Sequence, residues 1–320
     1  MPLKKNQNSS RYKLIVLCGP TGVGKTDFAI HLARQFNAEI VGADAMQIYR
    51  RMDIGTAKPT AAEQAVVPHH MIDVVNPDQD FDAAAYARMA GGIIPGIVSR
   101  GRTVFVVGGT GFYIKALLYG LFKEGPSDPV TRRRLKEQAE LEGATVLHRR
   151  LSAIDSVAAE RIHPNDTYRI IRALEVFEVT GEPLTVFQQR HGFRERRYTT
   201  LQIGLFRPRP VLYDRINQRV DLMMAYGFIE EVRQLLATGY GSDLRSMQSL
   251  GYRHLAAVIR GETSLVEAVR TLKRDHRRYA KRQMTWFRAD RETVWVDPVV
   301  SSEVENKIRE FLSDPLVTKI

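Results

Sequence analysis

Short apolar runs alternate with amphipathic helical stretches along most of the chain, and that alternation sets the expected fold. Residues 14–18, 38–44, 71–75, 103–108 and 201–206 read as strands rich in Val, Ile and Leu, with a late strand at 293–297. Near-continuous apolar strands separated by helical patterns imply a parallel sheet covered on both faces. From about 122 to 199 the strand signals vanish and helical patterns dominate, at 130–142, 145–151 and 167–180. Asn165-Asp166 reads as the N-cap of the last of these and Gly181 as its stop. The region is bounded by Lys123-Glu-Gly-Pro-Ser-Asp-Pro129 and the charged run His191-Gly-Phe-Arg-Glu-Arg-Arg197. It is expected to be a helical insertion, 123–199, in a core formed by 11–122 and 200–300. Residues 1–10 read as a disordered tail and 301–320 as a C-terminal helix or tail. Helices are expected from 211 to 288.

The first strand runs at once into Gly19-Pro-Thr-Gly-Val-Gly-Lys25-Thr26, the G-x-x-x-x-G-K-T pattern of a P-loop, and Phe28, Ile30, Leu32, Ala33 and Phe36 mark an amphipathic helix behind it. Strand, glycine loop and helix together predict a polyphosphate site, because inward-turned backbone N–H groups and a helix N-terminus both favour an anion. Lys25 would neutralise phosphate charge, and the Thr26 hydroxyl would sit where Mg²⁺ is held. The fold expectation is therefore α/β: a P-loop NTPase-like parallel sheet with helices on both faces, plus a helical insertion domain. The motif leaves open which phosphate ester binds and whether a phosphoryl group is transferred.

Composition narrows the class. A chain of 320 residues with 44% hydrophobic content suits a core domain with a second domain or insertion. The first ten residues are polar without an apolar h-region, and no segment has the apolar length of a membrane span, so a cytoplasmic protein without membrane association is expected. Cys18 is the only cysteine and reads as a packing residue. The net charge of +11, from 47 Lys+Arg against 36 Asp+Glu, points to a polyanionic partner such as nucleic acid. Much of the excess lies in one predicted helix, 265–288. There Arg270, Lys273, Arg274, Arg277, Arg278, Lys281, Arg282 and Arg288 form a basic stripe that only Glu267 and Asp275 interrupt. Val266, Leu272, Tyr279, Met284 and Phe287 are expected to anchor it, with Trp286 read as a core residue at the helix end.

Ligands of open parallel sheets bind beyond the carboxyl ends of the strands. Asp44 ends the second strand and should face the same crevice as Lys25, unless it is a turn or cap aspartate; Gly108-Gly109-Thr110-Gly111 ends the fourth. His69 and His70 resemble a metal pair, but neighbours on an extended segment point to opposite faces, so they are expected to be structural. A nucleotide or metabolite kinase would share the P-loop and sheet, and a non-catalytic RNA-binding ATPase would explain P-loop and charge.

The residues also carry a resemblance. Gly19-Pro-Thr-Gly-Val-Gly-Lys-Thr26, Asp44-Ala-Met-Gln47, Met52-Asp-Ile-Gly-Thr-Ala-Lys-Pro59, Pro68-His-His70, Val107-Gly-Gly-Thr-Gly111, Ile162-His-Pro-Asn-Asp166, Arg172-Ala-Leu-Glu175 and Lys281-Arg-Gln-Met-Thr-Trp-Phe-Arg288 occur in that order. Together, over about 14–297, they resemble the bacterial tRNA isopentenyltransferase (tRNA dimethylallyltransferase) family. Gly22-Val23, in a loop that works through backbone N–H groups, and Ala45, at a place often held by Ser, depart from the family's commoner residues.

The resemblance implies transfer of a dimethylallyl group from dimethylallyl diphosphate to N6 of the adenine 3′ of the tRNA anticodon, with Mg²⁺ as cofactor. It implies that Asp44 and Thr110 are catalytic. Gly19, Pro20, Thr21, Gly22, Val23, Gly24, Lys25, Thr26 and Arg219 would hold the diphosphate. Contacts to tRNA are implied for Asp44, Ala45, Met46, Gln47, Thr110, Arg132, Tyr168, Arg169, Ile170, Ile171 and Arg172, with the insertion clasping the anticodon stem-loop. The same holds for Lys281, Arg282, Gln283, Met284, Thr285, Trp286, Phe287 and Arg288. Nothing in the chain calls for a dimer, and a monomer is expected.

Overall fold

The computed structural model describes residues 12–121, 128–193, 195–299 and 301–314. The expected tail at 1–10, the boundary stretch at 123–127 and the last residues, 315–320, lie outside the described residues. The described chain divides into two compact units, one up to Leu118 and from Arg196 onward, the other Tyr119–Glu195.

The chain first forms β1 (Lys13–Cys18), α1 (Lys25–Gln35), β2 (Ala38–Gly42), α2 (Ala61–Val66), β3 (His69–His70), α3 (Ala83–Ser99), β4 (Thr103–Gly108) and α4 (Gly111–Tyr119). Five helices follow: α5 (Pro129–Glu142), α6 (Ala144–Ile154), α7 (Ser156–Arg161), α8 (Thr167–Thr180) and α9 (Leu184–His191). It then returns to the first unit through β5 (Thr199–Leu205), α10 (Arg209–Ala225), α11 (Phe228–Ala237), α12 (Tyr252–Ile259), α13 (Leu265–Arg288), β6 (Val294–Val296) and α14 (Ser301–Ser313).

The six strands form one sheet in the order β3-β2-β4-β1-β5-β6, every pairing parallel. Alternation along β1 and β4 sends Ile15, Leu17 and Phe105 into a core shared with α1, α10 and α14. The intervening Leu14, Val16, Val104 and Val106 are fully buried too, so both faces are covered, as the unbroken apolar strands predicted.

The strand expected at 71–75 does not form. The ladder to β2 covers only His69 and His70, and Val75 makes an isolated bridge to Tyr49. Met71 and Asp73 have φ of 64° and 53°, in the left-handed region that an extended strand cannot contain. Both histidines make contacts within the fold, and His69 also borders the cleft at the end of β2. His70 Nε2 lies 2.7 Å from Glu39 Oε2, and His69 Nδ1 lies 2.7 Å from the Val67 carbonyl.

Register brings the carboxyl ends of the central strands together. Cys18 pairs with Gly108, and Gly42 with Val107, so β1, β2 and β4 end at one level. A Cβ on Gly108 would overlap the Ala43 carbonyl; with glycine there, that carbonyl also accepts the Thr110 N–H at 3.0 Å. The chain leaving β4 is thereby held against the chain leaving β2.

In the second unit Leu135, Leu147, Leu151, Ile170 and Leu174 form a separate core. Asp166 caps α8 by accepting the Arg169 N–H at 3.2 Å, and Gly181 ends it in the left-handed conformation.

Candidate active site

The P-loop joins β1 to α1, and no side chain caps the N-terminus of α1, which leaves its amides for an anion. Lys25 folds back on the loop, donating to the carbonyls of Gly19 at 3.0 Å and Pro20 at 2.9 Å. Burial, reinforced by the charge of Arg219, pushes its pKa down to about 8, while Asp44 pulls the other way. Arg219, on α10, is also held below the usual arginine range by burial, with Asp44 opposing. Its Nη2 makes a long 3.4 Å contact to the Thr56 carbonyl, and its buried Nε has no hydrogen-bond partner. A desolvated lysine and a buried guanidinium with an unused donor form a site built for an anion.

Asp44 lies just past β2 and lines a cleft with Lys25, Thr26, Gln47, Ile40 and Ile72. Its Oδ1 accepts the N–H of Met46 at 2.8 Å and of Gln47 at 3.3 Å. Asp44 is thus a turn aspartate and a crevice aspartate at once: one oxygen is fixed by the backbone, and no described residue donates to Oδ2. Thr110 Oγ1 accepts the Ala45 N–H at 3.0 Å, which leaves its own proton to donate elsewhere. Gln47 Nε2 reaches the Thr56 and Ala57 carbonyls at 3.2 and 3.1 Å. No group of three or more His, Cys, Asp or Glu suited to a metal occurs among the described residues. Thr26 lines the same cleft as Asp44, and its hydroxyl suits Mg²⁺, which takes few protein ligands and shares phosphate oxygens. Cys18 is buried, and burial pushes its thiol up to about 12, consistent with the packing role expected.

Helix α13 spans the predicted residues, but its faces differ from expectation. Ala268, Leu272, His276, Ala280, Gln283 and Phe287 form the buried stripe, whereas Val266 is exposed. Gln283 and Phe287, for which the resemblance implied contacts to tRNA, have buried side chains. Both ends of the Gln283 amide are used: Oε1 accepts the Thr21 N–H and Nε2 donates to the Gly109 carbonyl, each at 2.9 Å. The basic stripe is also neutralised over much of its length. Arg270 pairs with Glu267, Arg274 and Arg278 with Asp275, and Lys273 with Asp221 of α10, which the periodicity of one helix could not reveal. Lys281, Arg282 and Arg288 are exposed and have no carboxylate partner among the described residues. Trp286, expected in the core, is 47% exposed and stands edge-on to Phe112, ring centroids 6.4 Å apart. Met284 is half-buried and Thr285 exposed.

In the second unit, Arg132 and Arg172 converge on the fully buried Glu175, at 2.9 and 2.8 Å. Two guanidiniums share one buried carboxylate, so both arginines help hold this unit together, Arg172 the more buried of the two. Ile170 and Ile171, for which contacts were also implied, pack into the core of this unit. Tyr168 and Arg169 are exposed.

Two further residues brace the P-loop. Arg207 Nε donates to the Val23 carbonyl at 3.0 Å and Arg215 Nε to Gly22 at 2.9 Å. The available signal for Arg207 was its place just beyond β5, at the carboxyl edge of the sheet. Arg215, within α10, carried none.

Comparison with known proteins agrees with this geometry. The family model described as IPP transferase matches residues 47–290, and one described as isopentenyl transferase matches 12–73. A tRNA dimethylallyltransferase of Desulfosudis oleivorans is 56% identical over 288 residues, covering 90% of this chain and 92% of the relative. The full-length tRNA isopentenylpyrophosphate transferase of Bacillus halodurans superposes with a TM-score of 0.70 at 41% identity, over 94% of this chain and 96% of that one. A eukaryotic dimethylallyltransferase captured acting on tRNA gives a TM-score of 0.78 at 26% identity, over 93% and 77% of the two chains.

Proposed function

The chain belongs to the IPP transferase family, and from that premise we infer that it is a tRNA dimethylallyltransferase, which moves a dimethylallyl group from dimethylallyl diphosphate to tRNA and releases diphosphate. The acceptor is N6 of the adenine 3′ of the anticodon. A new N6–carbon bond forms as the carbon–oxygen bond to diphosphate breaks. An exocyclic adenine amine is a weak nucleophile, because its lone pair is delocalised into the ring, so a base must remove its proton. Asp44 takes that proton on Oδ2, with Oδ1 held by two backbone amides. Thr110 orients the reacting groups through its free hydroxyl proton.

The leaving diphosphate gathers charge as the bond breaks, and the P-loop amides, Lys25 and Arg219 stabilise it there. Bound Mg²⁺, held through Thr26, would supply further neutralisation of the leaving group. The adenine leaves its stack to reach the cleft, at a cost of a few kcal/mol that is lowest in a single-stranded loop. Lys281, Arg282 and Arg288 bind the tRNA backbone, and the second unit contributes Tyr168 and Arg169 to the anticodon arm. No helix among the described residues is long and apolar enough to cross a membrane. A tRNA substrate places the enzyme in the cytoplasm, and we take it to act as a monomer.

The observation that carries this reading is one cleft holding an aspartate with an unengaged oxygen beside the P-loop lysine. Labelled dimethylallyl diphosphate and unmodified tRNA test it. Label should enter tRNA with the native chain and not with Asp44→Asn, whose tRNA binding should persist. ATP hydrolysis with no label in tRNA would overturn the reading in favour of a kinase or ATPase.

A further inference from the structure

Met52-Asp-Ile-Gly-Thr-Ala-Lys-Pro59 is absorbed neither by the P-loop nor by the basic helix, yet it is tied down by side chains at both ends. Its anchor is Glu231, in the first turn of α11. Glu231 Oε2 accepts the N–H of Asp53 at 3.0 Å and of Ile54 at 2.7 Å; Oε1 accepts the N–H of Gly55 at 3.2 Å and the Tyr252 hydroxyl at 2.6 Å. Three successive amides thus turn onto one carboxylate. Gly55 rests on the Phe228 and Tyr252 rings, which any Cβ there would overlap, and those rings meet edge-on at 5.0 Å. Lys58 pins the far end through the Tyr49 carbonyl at 2.8 Å and Asp73 at 2.6 Å.

Between these anchors lies the Thr56 carbonyl, which receives Gln47 Nε2 at 3.2 Å and Arg219 Nη2 at 3.4 Å. That carbonyl is the only hydrogen-bond partner of Arg219 among the described residues, while its Nε stays unpartnered. Resting on the reading of this cleft as a prenyl diphosphate site, we infer that Glu231 is a positioning residue for the leaving group. Its carboxylate sets the loop, the loop sets the Thr56 carbonyl, and the carbonyl orients the Arg219 guanidinium so that Nε points its donor at diphosphate. The same carbonyl steadies Gln47, whose backbone N–H helps hold Asp44 Oδ1 at 3.3 Å. One carboxylate remote from the chemistry thereby serves both ends of the reaction.

Glu231→Gln replaces an acceptor oxygen with an NH₂ that faces other donors. Tyr252→Phe removes a single donor and is the milder change. Calorimetric binding of inorganic pyrophosphate to the full-length protein reads the effect without needing catalysis, so failure of tRNA modification would be seen separately. Glu231→Gln should weaken pyrophosphate binding about tenfold and Tyr252→Phe about threefold, with tRNA affinity changed less than twofold. In an Arg219→Lys background, neither should weaken it further, because the group they act through has already been lost. Unchanged pyrophosphate affinity in both single variants, or equal losses in the native and Arg219→Lys backgrounds, would overturn the inference.

Discussion

Gln283 accepts the backbone N–H of Thr21 at 2.9 Å, joining the C-terminal part of the basic helix to the P-loop. Its other amide end holds the Gly109 carbonyl, one residue from Thr110. Gln283→Leu would leave both backbone groups buried and unpaired, at about 1–3 kcal/mol each. The melting temperature should fall, and the KM for dimethylallyl diphosphate should rise about tenfold or more. The Kd for tRNA should move less than twofold. A large loss of tRNA affinity with an unchanged diphosphate KM would show that Gln283 contacts tRNA directly.

Lys25 sits near pH 8 rather than at the ordinary lysine value of 10.5. Because the folded-state value is the lower one, the native protein binds fewer protons than the unfolded chain between those limits. The stability cost of burying this charge is therefore full below pH 8 and fades as pH rises towards 10.5. A bound diphosphate favours the charged form, so binding near pH 8 should draw a proton from buffer. Calorimetry in buffers of different ionisation enthalpy should show this uptake, and a Lys25→Arg variant, always charged, should show less. Equal uptake in the two would remove Lys25 as its source.

The division of the basic stripe predicts unequal effects along one helix. Lys281→Ala should weaken tRNA binding and reduce the slope of log K against log salt by about 0.7–0.9, the contribution of one phosphate contact. Arg270→Ala, whose partner Glu267 lies 2.6 Å away, should change neither quantity appreciably. Filter binding across a salt series distinguishes these outcomes.

His276 is buried on α13, and burial together with the positive charge of Arg219 pushes its pKa down to about 3 from 6.5. The folded value is the depressed one, so its contribution is intact above pH 6.5 and is lost as pH falls towards 3. Going from pH 6.5 to 5 should cost about 2 kcal/mol through this group, at 1.36 kcal/mol per unit. His276→Leu should flatten the acid side of the stability profile in urea titrations. An identical pH profile in the two proteins would place the acid sensitivity elsewhere.

The amino-acid sequence determined what depends on short-range pattern. The strand running into the P-loop, α8 with its cap and stop, and the span of α13 all follow from side-chain periodicity and from caps acting within one turn. The conjunction of Gly19 to Thr26 with Asp44 and Gly108 to Gly111 marked the crevice, because parallel strands end on one edge. Tertiary structure decided everything that needed a distant partner. The basic stripe of α13 loses Lys273 to Asp221, and the polar Gln283 turns inward because Thr21 and Gly109 wait there. Trp286 stands half in solvent beside Phe112, and 71–75 leaves the sheet through two left-handed residues. Glu231 became legible only when folding placed it against residues 52–59, since a carboxylate far along the chain leaves no mark on the local pattern of the loop it holds.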